Sequence, residues 1–249
     1  LDQIFQKPKP ILMKKIFTIA IILIFSSGIN AQPWFDIGIK GGLGSSFMYN
    51  KQIFDDQDLT NKFALGYTFG GKLGFNFIQE HQLTFDVLKT GYNQKFSYFM
   101  EGNELIREIG LDVIDLALMY RHNVSGTYFE IGPQYSITSK VTFSDEGGAT
   151  LNGFAPDEVI DKNFYSIAAG FGGYIFGTDN FGITMGFRVN YTLTDIASES
   201  GMNINFPMLV PKEADPLRNL GIMFVFEANY DFGYLVSSSC GQRKKLFVF

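Results

Sequence analysis

The chain predicts an all-β fold, an eight-stranded antiparallel up-and-down transmembrane β-barrel. Three observations carry this prediction. Apolar residues recur at every second position, with small and polar residues between them. The connections between these runs alternate between long and short. The composition joins 27 Phe and 27 Gly to only 18% charged residues. Soluble globular domains hold about 25% charged residues, so part of this surface is expected to meet something other than water. Beyond the N-terminal region no stretch reaches the roughly 18 uninterrupted apolar residues of a membrane helix. Closed strands are the other way to satisfy a backbone in lipid.

Taken in order, residues 1–12 contain Pro8 and Pro10, precede a natural start at Met13, and read as an upstream extension with no structural role. Residues 13–31 read as a cleaved secretory signal: Lys14 and Lys15 form the positive region, Ile16 to Phe25 the apolar one, and Ala31 the small residue at the cut. No cysteine stands directly after that cut, so a lipid anchor is not expected. Export with a barrel pattern places the protein in the bacterial outer membrane.

Residues 32–236 hold the barrel, in eight runs near 34–48, 63–77, 82–99, 106–121, 127–142, 163–176, 181–193 and 220–232. Their length exceeds the roughly 5–6 residues of a soluble strand and suits the roughly 9–11 needed to cross a bilayer at a tilt. Phe63, Leu65, Tyr67, Phe69 and Phe75 share one parity of the second run; Phe181, Ile183 and Phe187 repeat it, as do Phe224 and Phe226. Two runs are less clean. The one at 106–121 alternates well only from Ile114 to Tyr120, and the one at 82–99 loses phase near Gly91, through a bulge or a rise above the lipid. The connections 49–62, 143–162 and 195–217 are long, 100–105 is intermediate, and 78–82, 122–126 and 177–180 are short. Short periplasmic turns and longer external loops are the habit of outer-membrane barrels.

Alternation alone also fits a soluble lipid-carrying barrel with the apolar parity turned inward. The other parity discriminates: a water-facing exterior would be rich in Lys and Glu, whereas here it is mostly Gly, Ala, Ser, Thr and Asn. The ten aromatic and aliphatic residues just named are therefore expected to face lipid. The inward parity carries Asp36, Lys40, Lys72, Asp86, Asp115, Arg121, Glu130, Arg188, Glu227 and Asp231. Isolated charges in a narrow interior are costly, so opposite signs should pair across strands, forming either a polar plug or the lining of a thin conduit for water or small ions.

Catalysis finds little support. The histidines are His81 and His122, both in predicted periplasmic turns, where they read as solvated surface residues; a rim active site would lack its general base. No phosphate loop, zinc-ligand spacing or calcium loop is present, and Cys240 is the single cysteine, so no cofactor or metal is expected. A net charge of −5 argues against nucleic acid. The expected partners are outer-membrane lipid, the barrel-assembly machinery during biogenesis, and other envelope proteins reached through loops 143–162 and 195–217; a monomer is expected.

The opening Ile37-Gly38-Ile39-Lys40-Gly41-Gly42, the stretch Val113 to Arg121, Tyr128-Phe129-Glu130-Ile131-Gly132-Pro133, Arg218-Asn219 and Asp231-Phe232-Gly233 resemble the PorT-like outer-membrane β-barrel family of Bacteroidota-type bacteria, within the OmpA/OmpX-like barrels. The signal ending Asn30-Ala31-Gln32 fits as well. The family's namesake serves the type IX secretion pathway, so the resemblance implies an envelope role that is structural, adhesive or tied to secretion and assembly. Family members commonly stop at the aromatic end of the last strand. Here residues 237–249 continue as a tail, so either Phe232 or Tyr234 closes the barrel, the preferred reading, or Phe249 is the terminal signal.

Overall fold

The computed structural model describes residues 33–55, 59–78, 80–178, 180–209 and 215–234. The upstream extension, the signal and the tail with Cys240 lie outside these residues. The strands are β1 (Trp34–Tyr49), β2 (Thr60–Lys62), β3 (Gly66–Ile78), β4 (His81–Met100), β5 (Asn103–Val124), β6 (Thr127–Asp145), β7 (Asn163–Gly177), β8 (Phe181–Thr192) and β9 (Arg218–Tyr234). Every long strand pairs antiparallel with its neighbours in sequence, and β1 pairs with β3 on one side and β9 on the other. The sheet therefore closes as an eight-stranded up-and-down barrel with no free edge. Tyr234 lies opposite Trp34, so the last strand runs its full length against the first.

The ninth strand, β2, is short. Its three residues lie against Ser97, Phe96 and Lys95 of β4, on the same edge that β3 pairs with below, and so continue the place of β3 in the ring after a one-residue shift of register. Phe63 and Leu65, expected within the second barrel strand, instead occupy the link between β2 and β3. They remain exposed, with Ala64 between them buried.

At one end the connections are short, around residues 79–80, 125–126 and 178–180; the other end carries segments 50–65, 146–162 and 193–217. The expected intermediate connection at 100–105 is instead a two-residue turn, Glu101–Gly102. Its φ values of 52° and 82°, like the 49° and 84° of Ser125–Gly126, define turns whose twist matches that of the flanking strands. The height at 101–102 comes from the strands themselves. β4, β5 and β6 run for 20, 22 and 19 residues, whereas β3, β7 and β8 have 13, 15 and 12. One side of the barrel thus rises as a wall above the other.

The wall explains the two unclean runs. In β4 the even positions Gln82, Thr84, Asp86, Leu88, Thr90, Tyr92, Gln94 and Phe96 are all buried, and the pairing with β5 is continuous from His81 to Met100. There is no bulge at Gly91. What changes is polarity. Below, Leu83, Phe85 and Val87 point outward beside polar inward neighbours; above, Lys89, Asn93 and Lys95 point outward while Tyr92 and Phe96 are buried. β5 makes the same exchange: Ile114, Leu116, Leu118 and Tyr120 are outward below, and Glu104, Glu108 and Asp112 above, where Ile109, Leu111 and Val113 are buried. β6 does have a bulge. Asp112 pairs with Lys140 but Val113 with Thr138, leaving Ser139 as the extra residue. This turns the inward set from Gln134 and Ser136 to Val141 and Phe143, and points Lys140, Thr142 and Ser144 outward.

The upper interior is a hydrophobic core completed by the long connections. Leu151, Val159 and Ile160 from 146–162, and Ile196, Ala197, Ile204, Phe206, Met208 and Leu217 from 193–217, pack with Phe96, Ile109, Leu111 and Val141 of the wall and with Met48 and Ile53. The two connections join by a bridge between Ile160 and Ala197 and by Asp161 N–H to the Ile196 carbonyl at 2.9 Å. They form a cap folded into the barrel mouth. The expectation of a polar lumen thus fits the lower half, whereas the upper half is mainly apolar, with Gln94 and Arg107 among its few buried polar groups.

Candidate functional site

The most distinctive arrangement of polar groups is the charge network in the lower lumen. Lys40 Nζ of β1 lies 2.7 Å from Asp86 of β4 and 3.2 Å from Glu227 of β9. Arg188 of β8 joins Asp86 at 2.8 Å to Glu130 of β6 at 2.5 Å. Arg121 of β5 then links Glu130 at 2.7 Å back to Glu227 at 2.8 Å. The six groups form a closed loop of alternating sign around the lumen. Lys72 of β3 extends it toward the short-turn end, 2.6 Å from Glu227 and 3.1 Å from Asp36. Four cations face four carboxylates, with side chains at most 4% exposed.

Each strand contributes through its inward parity. β7 gives room instead of charge: Ser166, Ala168 and Gly170 point inward, and a Cβ at Gly170 would press on the Glu130 side chain. Gly74 plays the same part in β3, since a Cβ there would overlap the Asp36 carboxylate and the Gln82 amide. Amides complete the coordination: Asn76 donates to Asp36 at 2.7 Å, Gln82 donates to the same oxygen, and Asn229 donates to Glu227 at 2.7 Å. Arg121 also sits over the Tyr128 ring, 4.1 Å from its centroid. In a low-dielectric interior such a network persists only if nearly every charge is matched, and here the sum is zero.

Two of the ten expected charges are not among the eight just described. Asp115 takes hydroxyl donors in place of an ion pair, Ser136 at 2.5 Å and Tyr92 at 3.3 Å. Tyr92 also accepts from Asn190 at 3.2 Å, while its ring belongs to the apolar core above. It marks the border between the two halves. Asp231 is half-buried in the wall of a cavity of about 400 Å³ that opens at the short-turn end; Asp36, Lys72, Asn76 and Tyr174 also line it.

Outside, Phe69, Phe181, Phe187 and Phe226 are exposed, and Tyr67, Phe75, Ile183 and Phe224 are half-exposed. They join Ile39, Leu43, Leu73, Phe85, Leu118, Phe129 and Phe171 in a belt around the barrel.

The chain matches no protein-family model, and no curated protein is similar in sequence. Among solved structures it is similar to Neisserial surface protein A, at 10% identity and a TM-score of 0.38 over 78% of this chain and 95% of that one. It is also similar to the outer membrane protein OprG of Pseudomonas aeruginosa, at 9% identity and 0.40 over 81% and 96%. A third is Ail, the attachment invasion locus protein of Yersinia pestis, in complex with sucrose octasulfate, at 14% and 0.36 over 79% and 99%. Likeness at this level adds no weight to the closed ring of strand pairs, which carries the fold by itself.

Sequence reading missed two groups. Arg107, buried in β5 at the top of the wall, donates from Nε to Asp145 at 2.6 Å and from Nη1 to the carbonyls of Pro207 and Met208 at 2.6 and 3.1 Å. It fastens the cap to the wall. Its odd position, shared with Asp115 and Arg121, was the available signal. His81 and His122, read as separate turn residues, are directly paired across β4 and β5.

Proposed function

We propose that the protein is an exported, monomeric resident of a bacterial outer membrane whose lumen does not conduct, and that its task is structural or adhesive and carried by the capped end. The closed loop of ion pairs across the lower lumen is the observation that carries this reading, because a conduit would need water where the network holds side chains against one another. The cap gives a second closure above it.

The outward belt supports the membrane setting. A continuous apolar band of this extent would far exceed the few hundred Å² that soluble monomers expose. Above it, exposed ion pairs between Lys62 and Glu104 at 2.9 Å and Lys95 and Glu108 at 2.5 Å suit a wall standing in water. Tyrosines near the upper border, with Tyr49 and Tyr191 bonded through their hydroxyls at 2.8 Å and Tyr135 against Tyr165, suit a headgroup girdle. The outer-membrane lipid is then the permanent partner, the barrel-assembly machinery a transient one, and other envelope proteins would meet the wall and the exposed parts of 143–162 and 195–217. The resemblance to PorT-like barrels of Bacteroidota-type bacteria supports an envelope assembly or secretion role.

Planar-bilayer recording tests the central point. The purified chain is expected to give no stable openings; a reproducible single-channel conductance would favour the narrow-pore alternative. Recovery from the soluble fraction without detergent would favour a lipid carrier.

A further inference from the structure

We propose that the short-turn end of the β3–β4 and β5 strands holds a divalent transition-metal site formed by Glu80, His81 and His122. One ligand atom from each lies within 4.8 Å of the other two. The placement follows from the register. His81 opens β4 and His122 is its directly opposed partner near the end of β5. Glu80 precedes His81 in the turn, and its carbonyl accepts from Asn123 N–H at 2.7 Å, which holds that turn against β5 beside His122.

The two imidazoles are prepared for ligation in different ways. His81 Nδ1 is bonded to the Tyr120 hydroxyl at 2.6 Å. With Nδ1–H donating, the ring is fixed in the tautomer that leaves the Nε2 lone pair free, as the outer partner of a metal-bound histidine does. Phe77 stacks on this ring, with centroids 5.9 Å apart. His122 Nδ1 is shut off from solvent and has no hydrogen-bond partner. An orphaned buried nitrogen costs free energy that a metal ion would recover. The rings are stacked with centroids 4.7 Å apart and planes at 24°. Two nitrogens and one carboxylate match zinc, with a fourth position left for water; to ligate one ion the two rings would turn out of their stack so that both lone pairs converge on it.

The cation would bridge two neighbouring strands and the turn between β3 and β4. Neither the sealed lumen nor the membrane setting is needed for this inference. The test uses the full chain in detergent, purified without a histidine tag and titrated with Zn²⁺ alone. One saturable site per chain is expected, with a rise in unfolding temperature that EDTA reverses, and cobalt in place of zinc should show the strong visible absorption of a four-coordinate site. His81→Ala and His122→Ala should each weaken binding by at least the roughly 10–100-fold that outer partners alone are worth. Tyr120→Phe should weaken it less, by freeing the His81 ring. Absence of saturable binding by the unaltered chain would overturn the site, as would a double histidine variant that binds zinc unchanged while keeping its heat-modifiable migration.

Discussion

The two halves of the barrel solve opposite problems with the same strands. In the lower half, apolar side chains point out and charges point in; in the wall built by the upper parts of β4, β5 and β6, polar side chains point out and Phe96, Ile109, Leu111 and Val141 point in. Where the outside is greasy, the interior can afford ion pairs only if they balance, and the network does. Where the outside is wet, the hydrophobic effect fills the interior instead, and the long connections fold inward to supply what the strands cannot. Solvent outside therefore dictates chemistry inside, and the exchange occurs within single strands.

The comparison breaks most severely at Glu227, which faces Lys40, Lys72 and Arg121. Glu227→Gln leaves the buried network with one positive charge in excess, each cation keeping only its second carboxylate, and should cost about 3–5 kcal/mol of stability. Urea unfolding in vesicles, followed by the heat-modifiable gel shift, measures it. A loss under about 1 kcal/mol would mean that water already enters the network.

The next test concerns the outer surface. Leu118, exposed in the belt, changed to Arg should cost about 2–4 kcal/mol if it lies near the bilayer midplane. Ser144, outward and exposed on the wall, changed to Arg should stay within about 0.5 kcal/mol. Equal costs at the two sites would sink the division into lipid-facing and water-facing zones.

Much of this was legible in the sequence, and its failures have one cause. Strand count, pairing order and the inward set of eight ionised residues in the network follow from a period of two, which a closed sheet enforces on every strand. The reading assumed that inward always means polar. That held for Asp86 and Arg121 but not for Tyr92 and Phe96, so a change of environment looked like a slip of phase. The bulge at Ser139 was hidden for the opposite reason: Thr138, Ser139 and Lys140 are all polar, and parity cannot be followed through residues of one kind. The cap was illegible because its apolar residues, such as Val159, Ile196 and Phe206, obey no strand period. The pairing of His81 with His122 requires the register of the β4–β5 hairpin over its full length from the Glu101–Gly102 turn, which local patterns do not fix.

A smaller effect separates cap from barrel. Arg107→Met removes the donors to Pro207, Met208 and Asp145 and leaves those acceptors partly unsatisfied, at a cost of about 1–3 kcal/mol. The loss should fall on the cap alone: faster proteolysis within 193–217, with the barrel below unchanged in urea. Simultaneous loss of both would show that the halves unfold as one unit.

The smallest effect is the pH response of the cap. Burial, followed by the negative charge of Asp195, raises the pKa of Asp161 above the usual aspartate value. A carboxyl with a raised folded-state pKa lends its stability below the unfolded value and loses it as pH climbs through the folded one, so at neutral pH ionised Asp161 works against the cap. Asp195 is held in place beside it, its Oδ1 accepting from the Ala197 and Leu217 amides at 2.9 Å each. The bonds of Asp161 to Ile196 and Thr138 run through its own backbone and survive a change of side chain. Asp161→Asn should therefore slow proteolysis of the cap at neutral pH, make little difference in acid, and flatten the pH profile between them. A profile identical to that of the unaltered chain would place the pH sensitivity of the cap elsewhere.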